Sequence, residues 1–421
     1  MLDLRFIREN AEVVRKGIRD KNSPDCLDQL LELDGRRRQI IAEVESLKHE
    51  RNVASEQIAA AKKAGQDAAE AIAAMRAVSE RTQALDTTLR EVEAQILYWQ
   101  LRIPNIPAPE VPVGDESANR EVRAWGQRPA FDFQPAPHWE LGEKLGIYDG
   151  AAGTNVSGSG FFVLRGAGAR MQRALINFML DWHTERGYVE HRLPYLVTAK
   201  TMQGTGQLPK LAEDMYRIES DDLYLIPTAE VPLTNLEAGT MLKAGSLPQR
   251  MVAYTPCFRR EAGAAGKDTR GMIRVHQFDK VELVKIVEPE TSGDEHESMT
   301  ADAEAILQAL GLPYRVRILA TGDLSFAAAK CYDLEAYAAG IDTWLEVSSC
   351  SNFTDFQARR MDLRVRSASG GKPYFPHTLN GSALALPRTM IAIWENYQTA
   401  KGTIRVPEAL VPYMGGMTEI A

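Results

Sequence analysis

A long pattern of regularly spaced apolar residues fills the amino-terminal quarter of the chain. Two series proceed by alternating three- and four-residue steps, and their members are Leu30, Leu33, Arg37, Ile40, Val44, Leu47, Arg51, Ala54, Ile58 and Ala61, then Met75, Val78, Thr82, Leu85, Leu89, Val92, Ile96, Trp99 and Ile103. This is the seam spacing of a coiled coil, and it predicts two long helices. Only the turn Ala64-Gly65-Gln66-Asp67 separates them. We therefore expect an antiparallel helical hairpin, about 50 Å long.

The pattern changes at residues 103–114, IPNIPAPEVPVG, where four prolines forbid a helix and stiffen the chain. We predict a helical domain over 1–102, a linker over 103–114 and a larger domain over 115–421. In the larger domain short β-prone runs alternate with amphipathic helices, such as one predicted over 169–186. This indicates an α+β domain with a sizeable sheet.

Composition narrows the function classes. The chain has 421 residues, 44% hydrophobic and 25% charged, which is typical of a globular protein with two or three domains. No apolar run is long enough for a membrane span, and the amino terminus does not resemble a secretory signal, so we expect a cytoplasmic protein. Four scattered cysteines form no CxxC pair, so we expect buried thiols and no zinc. The net charge of −8 means that any RNA partner must bind to local patches.

The stretch from Cys257 to Glu282, CFRREAGAAGKDTRGMIRVHQFDKVE, concentrates the candidate chemistry. Its Gly-rich middle, 262–271, predicts a long flexible connection between two strands. On strands, Arg259 and Glu261 would share one face about 7 Å apart, and 274, 276, 278, 280 and 282 would share a face on the return strand. A guanidinium can grip a phosphate and an aromatic ring can stack on a purine. Any one of these residues alone is more typical of a charged surface hairpin.

The whole string resembles the second signature motif of class II aminoacyl-tRNA synthetases, as found in seryl-tRNA synthetases of the bacterial type. Five further segments are similar to that family: TMQGTGQLPK at 201–210, IPTAEVPLTN at 226–235, TGDLSFAAAKCYDLEAY at 321–337, WLEVSSCSNFTDFQARR at 344–360 and TLNGSALALPRTMIAIWENYQ at 378–398. The last resembles the third class II motif. The helix and strand ending at Pro194 resemble the first, which builds a dimer interface in the family. The resemblance implies an antiparallel sheet flanked by helices and a homodimer.

The resemblance also implies where substrates bind. It places ATP at Arg259, Arg260, Glu261, Val275, Phe278, Glu346, Val347, Ser348, Ser349 and Arg388, and serine at Thr228, Ala229, Glu230, Arg259, Glu282 and Ser382. Arg259 and Arg388 are the expected catalytic arginines, on the α- and γ-phosphates. Glu346 and Ser349 are expected to hold magnesium with ATP, since hard cations prefer oxygen ligands. Glu282 is expected to read the serine hydroxyl. Arg260, Ala383 and Pro387 depart from the commoner family pattern.

The implied activity is ATP-dependent ligation of L-serine to the 3′ end of serine tRNA through a seryl-adenylate. Selenocysteine tRNA is a second candidate substrate. The resemblance assigns the hairpin to tRNA binding, although its pattern alone favours a dimerisation coiled coil, because residues 28–102 hold eleven basic and thirteen acidic side chains. Three alternatives stay open. They are a ligase that loads an amino acid onto a carrier protein or biosynthetic intermediate, a non-catalytic RNA-binding paralogue, and a structural coiled-coil protein.

Overall fold

A computed structural model describes residues 1–263 and 269–421, in two compact units. One unit comprises residues 2–104, and the other comprises Met1 and residues 105–421. The α-helices are α1 (Leu4–Glu9), α2 (Ala11–Asp20), α3 (Leu27–Lys63), α4 (Ala69–Gln100), α5 (His138–Lys144), α6 (Gly150–Ser157), α7 (Gly166–Thr184), α8 (Ala199–Thr205), α9 (Glu230–Thr234), α10 (Ser292–Ala309), α11 (Phe356–Met361) and α12 (Leu386–Asn396). None of these helices combines the length and apolar character needed to cross a membrane.

The strands are short outside one main sheet. They are β1 (Arg120–Trp125), β2 (Tyr148–Asp149), β3 (Val163–Leu164), β4 (Val189–Glu190), β5 (Leu196–Thr198), β6 (Arg217–Ile218), β7 (Leu223–Leu225), β8 (Met241–Leu242), β9 (Gln249–Phe258), β10 (Gln277–Val287), β11 (Tyr314–Ile318), β12 (Lys330–Ala338), β13 (Thr343–Asn352), β14 (Arg364–Val365), β15 (His377–Ala385), β16 (Ile404–Arg405) and β17 (Glu419–Ile420).

The smaller unit contains the predicted helical hairpin, α3 packed against α4, together with the short helices α1 and α2. The predicted seam positions are buried or partly buried, as with Ile40, Val44, Val92 and Ile96, and Arg51 is the one seam position that lies exposed. Asp67 accepts a hydrogen bond from the Ala69 N–H at 2.9 Å, which stabilises the start of α4. The two helices span 37 and 32 residues, which at about 1.5 Å per residue agrees with the predicted length of about 50 Å.

Ion pairs between the two helices add to the seam. Arg37 Nε lies 3.0 Å from Glu93 Oε1, and Arg81 Nη2 lies 2.8 Å from Glu43 Oε1. Both pairs are exposed, so each contributes little to stability compared with the buried apolar residues. The hairpin is therefore held mainly by its apolar seam, and these ion pairs add little.

The larger unit is built on an eight-stranded sheet with the order β1-β11-β12-β13-β15-β10-β9-β4. Its pairs are antiparallel except for β4, which runs parallel to β9 at one edge. The main hydrophobic core joins this sheet to α7, α10 and α12 through residues such as Leu175, Ile306 and Trp394. The predicted α+β fold with helices flanking an antiparallel sheet is thus confirmed. All four cysteines are buried and unbridged, as predicted.

Helix α7 shows how the sequence positions the core. Met171, Leu175 and Phe178 recur at helical spacing and are buried in the main core, as their pattern predicts. The helix begins at Gly166 and ends at Thr184, two to three residues earlier at each end than the predicted 169–186. The difference is of the size expected where helix ends fray.

Candidate active site

A cavity of about 320 Å³ opens over the middle of the sheet, at strands β13, β15 and β10. Side chains on β10 alternate between the two faces of the sheet. Val281 and Leu283 therefore lie in the main core, whereas Phe278 and Lys280 line the cavity on the opposite face. The cavity thus lies on the face of the sheet that the main core leaves open.

Most of the predicted ligand-binding residues come together in this cavity. Those that line it are Thr228, Glu230, Arg259, Glu261, Val275, Phe278, Glu346, Val347, Ser349, Ser382 and Arg388. They come from segments more than 150 residues apart in sequence, which only the sheet topology brings together.

Other predicted residues lie outside the cavity lining. Arg260 donates its backbone N–H to the Asp214 carbonyl at 2.9 Å, and the Ser348 hydroxyl donates to the Ser382 carbonyl at 2.6 Å. Ala229 is fully buried in a second hydrophobic cluster, with Leu233 and Val284. Glu282 is also fully buried and contacts the residues that form the floor of the cavity.

The predicted strand positions next to the Gly-rich connection are wrong for Arg259, Glu261, Arg274 and His276, whereas Phe278, Lys280 and Glu282 lie on β10 as predicted. Strand β9 ends at Phe258, so Arg259 and Glu261 lie beyond it, and Glu261 has a φ of +52°. Strand β10 begins at Gln277, so Arg274 and His276 precede it. The two strands pair only as far as Phe258 and Gln277, and the chain then leaves the ladder. Of the predicted flexible connection at 262–271, residues 264–268 lie outside the described part of the chain.

Specific contacts, rather than strand pairing, hold the two sides of this connection together. The Arg259 N–H donates to the His276 carbonyl at 2.9 Å, and His276 Nδ1 lies 3.1 Å from the Arg259 carbonyl oxygen. Arg274 forms an ion pair with Glu261. Glu261 and Arg274 therefore lie on the same side of the cavity even though neither belongs to a strand.

Arg259 lies between the aromatic ring and the substrate pocket. Its Nε donates to the Pro227 carbonyl at 3.3 Å, and its guanidinium lies 5.2 Å from the centre of the Phe278 ring. The ring face attracts the cation and restricts its orientation. The guanidinium is thereby fixed at the cavity wall, next to the Thr228 segment.

Arg388 lies in the first turn of α12, just after Pro387. Its Nε donates to the Ile273 carbonyl at 3.1 Å, and its Nη1 donates to the Glu346 carbonyl at 2.9 Å. The same Nη1 lies 3.3 Å from Glu346 Oε2. A cation at the start of a helix is unfavourable, because the helix dipole is positive at that end. An anion bound here would be attracted both by the Arg388 guanidinium and by the helix dipole.

Glu346 and Ser349 supply the oxygen atoms that magnesium prefers. Both lie on β13, and Ser349 pairs in the ladder with Asp333 on β12. Burial first, and then the nearby Glu346 charge, raise the pKa of Asp333 well above its usual range. Burial also raises the pKa of the Cys331 thiol, so this neighbour of Ser349 stays protonated and is a poor metal ligand. A site with few protein oxygens fits magnesium, which usually keeps waters and substrate phosphates as ligands.

Zinc would need a different set of ligands. Across residues 1–263 and 269–421 no group of three or more His, Cys, Asp or Glu side chains could hold a metal ion. The absence of a zinc requirement stays a prediction.

A buried polar network forms the floor of the cavity around Glu282. Its two carboxylate oxygens accept hydrogen bonds from Asn380 Nδ2 at 2.8 Å and Ser382 Oγ at 3.3 Å, and Lys280 Nζ lies 2.5 Å away. Lys280 also donates to Thr228 Oγ1 at 2.9 Å. A buried charge is tolerated only with such partners. The network ties β10, β15 and the Thr228 segment into one rigid pocket.

Glu230 is the second buried carboxyl of the pocket. Gln357 Nε2 donates to its Oε1 at 2.7 Å. Burial, and next the charge of Glu282, raise the pKa of Glu230 to about 7, while Gln357, Lys280 and Arg259 act in the opposite direction. Glu230 is therefore much harder to ionise than an ordinary carboxyl, and a cation placed beside it would favour its charged form.

Several residues of the site were not assigned by sequence reasoning. Lys280, Asn380 and Gln357 contact Glu282 or Glu230 directly. The alternation of β10 puts Lys280 on the same face as Phe278 and Glu282, and Asn380 lies two residues before Ser382 in the third motif. Those two positions could have been inferred from sequence. Gln357 could not, because its contact depends on how α11 packs.

Comparison with known protein families agrees with this geometry. Residues 1–107 match the family described as the seryl-tRNA synthetase N-terminal domain. Residues 215–397 match the tRNA synthetase class II core domain of the G, H, P, S and T enzymes.

Full-length relatives are similar to the chain throughout. The serine–tRNA ligase of Thermomicrobium roseum is 55% identical over 422 residues, which cover 100% of this chain and 95% of the relative. That of Geobacter sulfurreducens is 51% identical and is covered completely. The crystal structure of seryl-tRNA synthetase from Pyrococcus horikoshii complexed with ATP superposes with a TM-score of 0.95 at 39% identity, over 100% of this chain and 99% of that one.

Proposed function

We propose, because this chain belongs to the family of seryl-tRNA synthetases, that it ligates L-serine to the 3′ end of serine tRNA with ATP through a seryl-adenylate. The observation that carries the proposal is the convergence of Arg259, Arg388, Glu346 and the Glu282 network on one cavity. The two arginines and the oxygen atoms of Glu346, which could hold a divalent ion, suit the binding of a triphosphate. The buried Glu282 carboxylate suits the binding of a small polar amino acid.

In the first step the serine carboxylate attacks the α-phosphorus of ATP and pyrophosphate leaves. The carboxylate is already ionised, so this step needs no general base. Its main barrier is repulsion between anions, which Arg259 at the α-phosphate and Arg388 at the γ-phosphate would reduce while holding the reactants in line. Glu346 and Ser349 would hold the magnesium that accompanies ATP and supplies further positive charge.

The rest of the nucleotide would lie along the wall that precedes β10. Phe278 would stack on adenine, and Glu261 would lie beside the base. Val275 and Val347 line the same cavity. The two remaining residues that are expected to bind ATP do not line the cavity. Ser348 would influence its shape through the hydrogen bond to the Ser382 carbonyl, and Arg260 through the hydrogen bond from its backbone N–H to the Asp214 carbonyl.

The serine subsite would use the two buried carboxyls separately. Glu230 and Thr228 would bind the ammonium group, with Ala229 fixing their backbone, and Arg259 would reach the serine carboxylate. Glu282 and Ser382 would bind the hydroxyl. A pocket built to hydrogen-bond a hydroxyl can reject an analogue without it by about 10⁴-fold.

In the second step a ribose hydroxyl at the tRNA terminus, the 3′-hydroxyl, attacks the carbonyl carbon of the adenylate and AMP leaves. Residues 1–102 would form the tRNA-binding domain, 103–114 the linker and 115–421 the catalytic domain. The helical hairpin would recognise serine tRNA, and selenocysteine tRNA as a second candidate, by the shape of the RNA.

The assembly would be a homodimer located in the cytoplasm. The support for a dimer is the edge of the main sheet, where β4 ends the strand order and Val189 is 61% exposed. An uncovered strand edge with an exposed apolar side chain suits pairing with a second chain. Helix α7 and the segment ending at Pro194 would complete this surface.

The test is an incubation of the full chain with ATP, each amino acid in turn, and total tRNA. We expect serine-dependent exchange of pyrophosphate into ATP without tRNA, and seryl-tRNA when tRNA is added. Exchange with serine but transfer only to a carrier protein would favour the alternative ligase. The absence of exchange with every amino acid would refute the proposed activity and favour a non-catalytic RNA-binding protein.

A further inference from the structure

Two buried side chains outside the cavity lining connect helix α12 to the segment that precedes β10. His138 Nδ1 lies 2.8 Å from Glu395 Oε1, and both side chains are inaccessible to solvent. The Met272 N–H donates to His138 Nε2 at 3.1 Å. A backbone N–H can only donate, so Nε2 is the acceptor, and the proton of the neutral ring lies on Nδ1 and is donated to Glu395.

Glu395 is itself held rigidly. Its Oε1 also accepts the His138 backbone N–H at 2.9 Å, and its Oε2 accepts the N–H groups of Gly340 and Ile341 at 2.8 and 3.1 Å. A carboxylate in the last turn of α12 opposes the helix dipole, and these donors offset that cost. Because Glu395 is held in this way, its hydrogen bond with Nδ1 fixes the orientation of the His138 ring, and Nε2 on the other side of the ring faces the Met272 N–H.

The segment that His138 holds is the one that orients Arg388. Met272 and Ile273 both line the cavity, and the Ile273 carbonyl accepts the Arg388 Nε–H at 3.1 Å. Arg388 lies in the first turn of α12 and Glu395 in the last. The two ends of one helix therefore hold the same dipeptide, one end directly and the other through His138.

The close approach of His138 depends on Gly271. Gly271 has a φ of +61°, and a Cβ built on it would lie 2.1 Å from His138 Nε2. A side chain at 271 would push the ring away from the Met272 N–H. The chain thus provides both the acceptor and the space that this hydrogen bond requires.

We infer that Glu395 and His138 are positioning residues for ATP. They place the Met272–Ile273 dipeptide so that the Ile273 carbonyl holds the Arg388 guanidinium towards the triphosphate. Neither residue touches a substrate, and the serine pocket around Glu282 is held by other contacts. The inference rests on the proposed function, because it concerns how the same cavity binds ATP.

Two substitutions at His138 separate the two hydrogen bonds of its ring. In His138→Gln the side-chain oxygen can replace Nε2 as the acceptor for the Met272 N–H, whereas in His138→Asn the amide can replace only the Nδ1 donor to Glu395. We expect His138→Asn to raise the KM for ATP about tenfold, the effect of losing one buried hydrogen bond. We expect His138→Gln to keep the KM for ATP within about twofold of wild type. The KM for serine should stay unchanged in both.

The measurement is serine-dependent pyrophosphate exchange with the full-length chain, together with thermal melting. The matched control is His296→Asn, because His296 is also buried, its Nε2 lies 2.8 Å from a backbone carbonyl, that of Cys350, and its ring stacks on Tyr332 of the main core, on the face of the sheet opposite to the cavity. This control should lower the melting temperature without changing the KM for ATP. A purely structural role for His138 would instead make the KM for ATP follow the melting temperature across all three variants.

The outcomes distinguish this inference from the proposed function. A wild-type chain without serine-dependent exchange would overturn the proposed function. An active wild-type chain whose His138→Gln and His138→Asn variants share the same KM for ATP would overturn the positioning role alone. If His138→Asn fails to fold, His138→Gln decides: a tenfold higher KM for ATP contradicts the inference, and an unchanged KM despite a lower melting temperature supports it.

Discussion

At the scale of single residues, the two buried carboxyls of the serine pocket differ in their partners. Glu282 contacts a cation and two side-chain donors, Lys280, Asn380 and Ser382. Glu230 has one amide donor, Gln357, and lies near the charge of Glu282. The better-satisfied carboxylate can recognise a neutral hydroxyl, while the less satisfied one gains most from an incoming cation. This difference underlies the separate roles proposed for them.

Serine binding should depend on pH through Glu230. Its pKa is raised to about 7, so the carboxyl is mostly protonated below that pH and ionised above it. Since the ionised form binds the serine ammonium, we expect the KM for serine to fall about tenfold between about pH 6 and pH 8. Pyrophosphate exchange across this range measures it. Glu230→Gln should give a higher KM for serine that does not change with pH, and an unchanged pH profile in that variant would contradict the assignment.

The raised pKa of Glu230 should also make the free energy of unfolding depend on pH. A carboxyl whose pKa is higher in the folded state than in the unfolded state stabilises the fold below the unfolded value of about 4.5. That contribution is lost as the pH rises through about 7. Glu230→Gln should therefore remove this component of the pH dependence of the free energy of unfolding.

Replacing Glu282 should remove serine activation while sparing ATP binding. Glu282→Ala leaves Lys280 buried without its carboxylate partner and removes the proposed acceptor for the serine hydroxyl. We expect kcat/KM for serine-dependent exchange to fall about 10²–10³-fold, with the Kd for ATP unchanged by titration calorimetry. Glu304→Ala is the control, since Glu304 is a buried carboxylate paired with Arg123 outside the cavity. Full exchange activity in Glu282→Ala would refute the role.

Residue identities could be predicted from sequence where one motif carries them. Phe278, Glu346 and Arg388 lie in the cavity as predicted, because each belongs to a long string of family-like residues. Gln357 and His138 were not predicted. Their contacts, to Glu230 and to the Met272 N–H, join segments more than 120 residues apart, and no local pattern encodes such distances.

At the scale of elements, periodicity predicted the helices better than the strand ends. The seam of α3 and α4 continues over many turns, so small errors at single positions do not change the result. Strands β9 and β10 end where their pairing ends, and the residue pattern continues past that point. For this reason Arg259, Glu261, Arg274 and His276 were wrongly placed on strands.

Truncating a seam residue should loosen the hairpin. Leu85 is 6% exposed, and Leu97, on the same helix, is 46% exposed. We expect Leu85→Ala to destabilise the hairpin by about 2–4 kcal/mol, through lost burial and a cavity, and Leu97→Ala to cost less than about 0.5 kcal/mol. Hydrogen exchange of the amides of α4 in the full chain measures both. Equal protection in the two variants would show that the seam does not hold the helices together.

At the scale of the whole molecule, the chain divides into two compact units, one helical and one based on the main sheet. The residues that line the candidate active site all belong to the sheet-based unit. The chemistry of adenylate formation should therefore be separable from the binding of tRNA.

Removing residues 28–102 should separate the two steps of the proposed reaction. We expect serine-dependent pyrophosphate exchange to persist, because the cavity residues lie outside the deletion, and tRNA charging to be abolished. The control is the full-length wild-type chain, which should show both activities under the same conditions. Unaltered charging after the deletion would refute the assignment of the hairpin to tRNA binding.

The sequence by itself determined the periodic features and the chemically distinctive strings: the paired helices, the α+β class and the identities of most cavity residues. These follow from local spacing and from motifs that are contiguous in the chain. Only the tertiary structure decided that the Glu230 carboxyl has fewer hydrogen-bond donors than Glu282. It also decided where β9 and β10 end, and that His138 connects Glu395 to the Met272 N–H. Such features depend on burial and on contacts between distant segments, which arise only when the chain is folded.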